Sequence, residues 1–400
     1  MHKAESMQLR PSLRKIKSIV GRYPAITIVF AWLIVLILLR TYVVAAISQP
    51  GNLDYNPPVV STIQGAVKWD GHYYLQIIRQ GYDFSGPTAV FYPIFPLIVG
   101  LLSRLGLGIV ISAQIVNALA LILASQGLYL LTILVTKKRQ IALLAVLAWL
   151  AFPVAHFFIA FYTEALFSAL VVWSLYFLLR KKYIWAGVLA GFATGTRGAG
   201  VVLGLVILIQ YLADKGWSWR KIDWQILAVP ISFFGIAAYW LWIYRETKIL
   251  PWVFFSGLYA KFWPYMRFES NILKTLYVEL LSMVTLINST SWMDAWLSEW
   301  FTKLHFFVAW LTIVYSAWLG WVKKLPLALV LYSALTALML ILTGNFVSHS
   351  RYILPVFPVF ILIAMWLDKQ AEWVRTLYFV VSAIALGAML TLFSNGYWVG

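Results

Sequence analysis

The chain has 400 residues, of which 62% are hydrophobic and 11% charged, against roughly 25% charge in water-soluble globular domains. That balance excludes a soluble enzyme and points to a polytopic membrane protein whose length is used up by apolar spans of about 20 residues each. The sequence holds no cysteine, which excludes disulfides, thiolate catalysis and Cys-ligated metal, and its net charge of +17 gains meaning only once the basic residues are sorted by membrane side.

Residues 1–22 carry Lys3, Arg10, Arg14, Lys15, Lys17 and Arg22 and read as a cytoplasmic basic N-terminus. The apolar run that follows, to about residue 46, is too long for a signal-peptide core of about 7 to 15 residues, so an uncleaved first helix is expected. Stretches such as 141–160 and 326–343 are apolar on every side. A transmembrane β-barrel, whose strands alternate over about 10 positions, is therefore excluded.

Basic clusters at Lys137-Lys138-Arg139, Arg180-Lys181-Lys182, Lys215 with Arg220 and Lys221, and Lys323-Lys324 should all be cytoplasmic. Each hairpin between them must then cross outward and return, which puts the turns at 156–164 and 194–200 on the outer side. Further crossings are expected near 225–245, 303–322, 326–344, 352–367 and 376–393, giving about eleven in all for an all-α polytopic bundle. Parity places 91–105 and 272–287 flat on the outer surface, because one more crossing would invert a basic cluster. This arrangement puts 19 of the 31 lysines and arginines inside and nine of the 14 acids outside. The strong basicity is thus an orientation signal, not a nucleic-acid footprint.

Residues 23–400 read as a single transmembrane domain with outer loops at 48–108 and 246–302. Ionisable groups near membrane depth are costly and usually functional, which singles out four places. Asp70 opens the amphipathic stretch Trp69-Asp70-Gly71-His72-Tyr73-Tyr74 and is the candidate catalytic base; capping of the following helix would be compatible with that role. Glu164, behind Thr163, stands at an outer turn and suits a helix N-terminus. Arg197 falls at the tip of a hairpin with arms of about 15 residues, about 22 Å at 1.5 Å per residue. It should therefore lie recessed, where a guanidinium can clamp a phosphate instead of snorkelling to the interface. Arg351, in His349-Ser350-Arg351-Tyr352, is expected at the outer start of a helix.

No Gly-rich phosphate loop, Asp-x-Asp pair or His-x-x-x-His pattern is visible, so nucleotide-driven and metallohydrolase chemistry find no support. No cofactor is expected, and dependence on a divalent ion is left open.

The block Trp69-Asp70-Gly71-His72-Tyr73-Tyr74, followed by Gly81-Tyr82 and by Phe91-Tyr92-Pro93-Ile94-Phe95-Pro96, resembles the first luminal loop of the PIG-V-type mannosyltransferases. Tyr162-Thr163-Glu164-Ala165-Leu166-Phe167 and Arg197-Gly198-Ala199-Gly200 resemble two further motifs of that family, in the same order. Gly71 stands where the family often has Ala, Tyr92 for Phe and Thr163 for Ser, and the Arg197 motif is shortened. The resemblance implies a GT-C fold, an acidic catalytic base in the first outer loop and a polyprenyl-phosphate sugar as donor.

The expectation is an inverting glycosyltransferase, a mannosyltransferase of glycolipid biosynthesis, acting on a lipid-linked or glycan acceptor. Asp70 would be the base, with Arg197 and Arg351 on the departing phosphate and Glu164 orienting acceptor or sugar. Trp69, His72 and Tyr73 would line the substrate site. The enzyme would sit in the plasma membrane of a prokaryote or the ER membrane of a eukaryote, its site facing away from the cytoplasm. Rival readings are a transporter of a phosphate-bearing lipid or solute, which predicts charges along a path to the cytoplasm, and a non-catalytic subunit of a membrane complex.

Overall fold

The computed structural model describes residues 24–46, 66–264, 269–289, 301–344 and 348–399, and the regular elements among them are all helices. The basic N-terminus, together with Asp54, Asp294 and Glu299, lies outside the described residues. The chain is an integral, multi-pass membrane protein. Among the described residues four helices are long and apolar enough to cross a membrane. They fall within α1 (Pro24–Ala46), α4 (Ile109–Thr136), α13 (Phe301–Val322) and α17 (Glu372–Ser394).

The remaining segments expected to cross contain shorter helices. These are α5 (Arg139–Leu150), α6 (Glu164–Leu179), α7 (Tyr183–Thr194), α8 (Val201–Asp214), α14 (Leu327–Ile341) and α16 (Phe357–Leu367). Between them come α9 (Ala228–Ile231), α10 (Phe234–Thr247), α11 (Pro251–Phe262) and α12 (Ile272–Ser289). Ahead of α4 come two short helices, α2 (Asp70–Gln80) and α3 (Ile94–Ser103).

Three expected spans are not continuous. The apolar run 141–160 stops being helical at Leu150, and 151–163 follows as turns and a 3₁₀ segment ahead of α6. Pro153 cannot supply a helical N–H, and residues 154–165 are buried in protein, the setting in which non-helical backbone is tolerated at membrane depth. The segment 225–245 is broken by a bend of 49° between Trp224–Ile231 and Phe234–Thr247, beside Pro230, whose ring removes a backbone bond and crowds the preceding turn. In 352–367 the helix starts only at Phe357. Arg351 sits on a separate short turn, α15 (His349–Tyr352), because Pro355 disfavours helix in the residue before it and lacks the N–H that would continue the turn.

Packing is dominated by α4 on α6, α6 on α7, α13 on α14 and α16 on α5. Apolar area gives little drive between helices already in lipid, so close approach by small residues matters. Gly191 and Gly235 show it: a Cβ on Gly235 would fall 2.2 Å from the Gly191 carbonyl oxygen and 2.5 Å from the Gly195 nitrogen. The loop helices pack differently. Gly71, Tyr74 and Ile77 form the buried stripe of α2, and Tyr74, Phe91, Phe95 and Phe161 join in one cluster, each fully buried Phe there contributing about 2 kcal/mol.

Candidate active site

Asp70 is the first residue of α2, and Trp69 occupies the cap position with φ 48°. No side chain caps this helix, so the expected capping by Asp70 does not occur. Its carboxylate makes a stronger charge-assisted bond instead, accepting from Arg351 Nη1 at 2.7 Å.

The loop that carries Asp70 is fastened to the turn that carries Glu164. The Phe161 N–H donates to the Ala66 carbonyl at 3.0 Å. The Tyr162 hydroxyl accepts from the Asp70 N–H and donates to the Lys68 carbonyl, both at 3.2 Å. Gly71 permits the approach, since a Cβ there would lie 3.3 Å from the Phe161 oxygen.

Glu164 is the first residue of α6, where the helix dipole favours a carboxylate. Thr163 holds the cap position as expected, but its hydroxyl does not cap; it accepts from Arg197 Nη1 at 3.3 Å. The same Nη1 donates to Glu164 Oε1, and Arg351 Nη1 lies 3.8 Å from that oxygen. Asp70, Arg351, Glu164 and Arg197 thereby form one continuous chain of ion pairs, assembled from four segments far apart in sequence.

The side chains of Arg197 and Arg351 are 11% and 10% exposed and that of Glu164 1%, whereas Asp70 retains 24%. Both arginines are thus recessed and neither snorkels. Their guanidinium faces meet aromatic rings: Tyr352 lies 4.5 Å from Arg197 Cζ, while Tyr162 and Trp398 lie 5.5 and 5.1 Å from Arg351 Cζ. Such contacts suit cations already out of water. Two carboxylates and two guanidiniums balance, and the remaining access is on the Asp70 side.

The other expected site residues are distributed around this core. Trp69 is 42% exposed and meets Trp398 edge to face at 5.5 Å. His72 is partly buried, and burial together with the Lys68 cation lowers its pKa, favouring neutral imidazole. Tyr73 stacks on Phe91 at 5.0 Å and meets Trp263 at 6.1 Å. Burial raises the Tyr74 phenol, partly offset by Arg197. Among the described residues no three His, Asp or Glu side chains gather as a metal ion would need.

Three contributors are not among the residues singled out from the sequence. Arg40, within α1, donates to the Ile159 carbonyl at 2.7 Å, and Asn117 Nδ2 donates to the adjoining Ala160 carbonyl at 2.7 Å. Together they fix the irregular backbone just before Glu164. A lone cation in the first apolar span was the signal available. Trp398, near the end of the sequence, had none.

Residues 25–215 match the family model described as Mannosyltransferase (PIG-V). The GPI alpha-1,6-mannosyltransferase 2 of Mus musculus is 32% identical over 164 residues, 38% of this chain and 33% of that protein. Its Homo sapiens counterpart is 34% identical over 156 residues, 36% of this chain and 31% of that protein. The matched stretch thus spans about a third of the length of these relatives. In fold, the chain is similar to ArnT from Cupriavidus metallidurans, solved bound to undecaprenyl phosphate, with a TM-score of 0.52 at 16% identity over 92% of this chain and 76% of that one. That likeness is one of fold.

Proposed function

We propose that this relative of the PIG-V-type mannosyltransferases is an inverting glycosyltransferase that moves mannose from a polyprenyl-phosphate donor to a hydroxyl of a lipid-linked or glycan acceptor. The observation that carries the reading is the single ion-pair chain Asp70–Arg351–Glu164–Arg197. A site that must hold a phosphate and also deprotonate a hydroxyl needs both kinds of charge in one place, kept ready while empty. Paired carboxylates and guanidiniums achieve this, because a buried charge without a partner is strongly destabilising.

In the reaction the donor phosphate competes with the carboxylates for the two guanidiniums. As Arg351 turns to the phosphate, Asp70 is released toward the acceptor. The acceptor hydroxyl gives its proton to Asp70 while its oxygen bonds to the anomeric carbon from the face opposite the phosphate. The bond from that carbon to the phosphate oxygen breaks, and the polyprenyl phosphate leaves with the electron pair. Arg197 and Arg351 stabilise the charge that grows on it. Glu164, held by both arginines, keeps them in register, and Trp69 and His72 line the approach. The donor carries its own leaving group, so no nucleotide takes part.

The reading includes about eleven crossings, with the helices of 11–16 residues completed by buried irregular backbone, and a site facing away from the cytoplasm. Membranes containing the protein should transfer labelled mannose from polyprenyl-phosphate mannose and not from a nucleotide-mannose when synthesis of the lipid donor is blocked. Transfer from the nucleotide sugar under that block would overturn the donor assignment.

A further inference from the structure

The matched family region ends at residue 215, yet a residue far beyond it reaches the charged cluster. Trp398 lies past the end of α17 and packs on one side with the cluster around Phe306 and Ile341. Its indole covers the Arg351 guanidinium at 5.1 Å and meets Trp69 at 5.5 Å with ring planes 70° apart. Trp69 immediately precedes Asp70 and holds its indole 42% exposed.

The backbone there is informative. Trp69 has φ 48° and ψ −120°, an uncommon conformation for a bulky residue, and such strain of about 1 to 3 kcal/mol persists where surrounding structure enforces it, often at binding sites. A more relaxed backbone would carry the indole elsewhere. Instead two tryptophans meet beside the carboxylate and the guanidinium of the Asp70–Arg351 pair.

Resting on the sugar-transfer reading above, we infer that Trp69 and Trp398 form an aromatic wall that binds the hexose ring of the donor. A hexose has faces of C–H bonds and a rim of hydroxyls. The faces stack on indole, and the rim is left for charged and polar partners, the division of labour that small-ligand sites use. Asp70 and Arg351 are in direct contact at 2.7 Å, so the pair must first open as Arg351 turns to the phosphate; a hexose against this wall would then have the base on one side of its anomeric carbon and the phosphate partner on the other, as in-line displacement requires. Trp398 thereby makes a remote segment of the chain part of the substrate site.

The test separates sugar binding from phosphate binding and from turnover. The full-length protein in lipid nanodiscs is titrated with polyprenyl-phosphate mannose and with the same polyprenyl phosphate lacking sugar, and the ratio of the two Kd values is read. The wild type should favour the sugar-bearing lipid by about tenfold, the size of one good aromatic contact. Trp398→Ala and Trp69→Ala should bring the ratio close to one, a readout that cancels any change the loss of the indole over Arg351 makes to phosphate binding, and Trp398→Phe should retain most of it. A ratio preserved in both alanine variants, or absent from the wild type, would overturn the wall. Asp70→Asn should keep the ratio while losing transfer, so a failed catalytic reading appears in turnover and a failed wall in the ratio.

Discussion

His72 shows how a residue beside the candidate base is tuned by its surroundings. It is partly buried on α2, and burial, followed by the Lys68 cation, lowers its pKa from the ordinary 6.5. The folded state therefore holds it neutral where the unfolded chain takes up a proton, so stability is intact above about pH 6.5 and falls as pH drops below that value. A thermal melt in detergent should show a lower Tm at pH 5 than at pH 7, and His72→Gln should shrink the difference between the two pH values. An unchanged difference would mean that other groups carry the acid sensitivity.

At the scale of elements, the site depends on how closely α7 and α10 approach. Gly191 and Gly235 leave no room for a Cβ, and the Thr194 hydroxyl, which the Ile236 N–H reaches at 3.3 Å, binds the bent segment to the end of α7. The Gly195 carbonyl accepts from the Ile94 N–H at 3.0 Å, tying the same turn to α3. Arg197 stands two residues further on. Gly235→Ala must push backbone against backbone, where overpacking costs about 1 to 3 kcal/mol, and the turn bearing Arg197 moves with it. Transfer should drop more than tenfold while the protein remains in the membrane, whereas Gly257→Ala, where a Cβ meets open space, should be neutral. Activity measured at matched expression distinguishes them; equal activity of both variants would mean that the close contact does not set the position of Arg197.

Across the whole molecule, charge and hydropathy revealed a great deal. Every segment read as a crossing contains helix, although three are interrupted, because long apolar runs bounded by basic clusters have few alternatives in a bilayer. The breaks were harder to see: 151–163 is as apolar as a span, and only burial by neighbouring helices allows its irregular backbone. The members of the charged cluster were legible one by one, but their connection was not. Asp70, Glu164, Arg197 and Arg351 stood out as costly charges, yet their joining requires contact between residues 70 and 351, which no local pattern encodes. Trp398 acts through tertiary contacts and was invisible for the same reason, whereas Arg40 stood out as a lone cation in an apolar span but its target, the Ile159 carbonyl, did not. The orientation has its own test. A reporter active only outside the cytoplasm should stay silent when fused after Lys138 and work when fused after Val60, which lies outside the described residues. Activity after Lys138 would invert the placement of Glu164.

The central claim is that Asp70 removes the acceptor's proton in a transfer from a lipid-phosphate donor. It is tested most directly by labelled mannose transfer from polyprenyl-phosphate mannose, wild type beside Asp70→Asn, in membranes matched for expression. The amide is nearly isosteric and cannot take the proton, so transfer should fall by about a thousandfold, within the range that general bases contribute. Equal transfer by the two proteins would contradict the account and move the search for the base to Glu164.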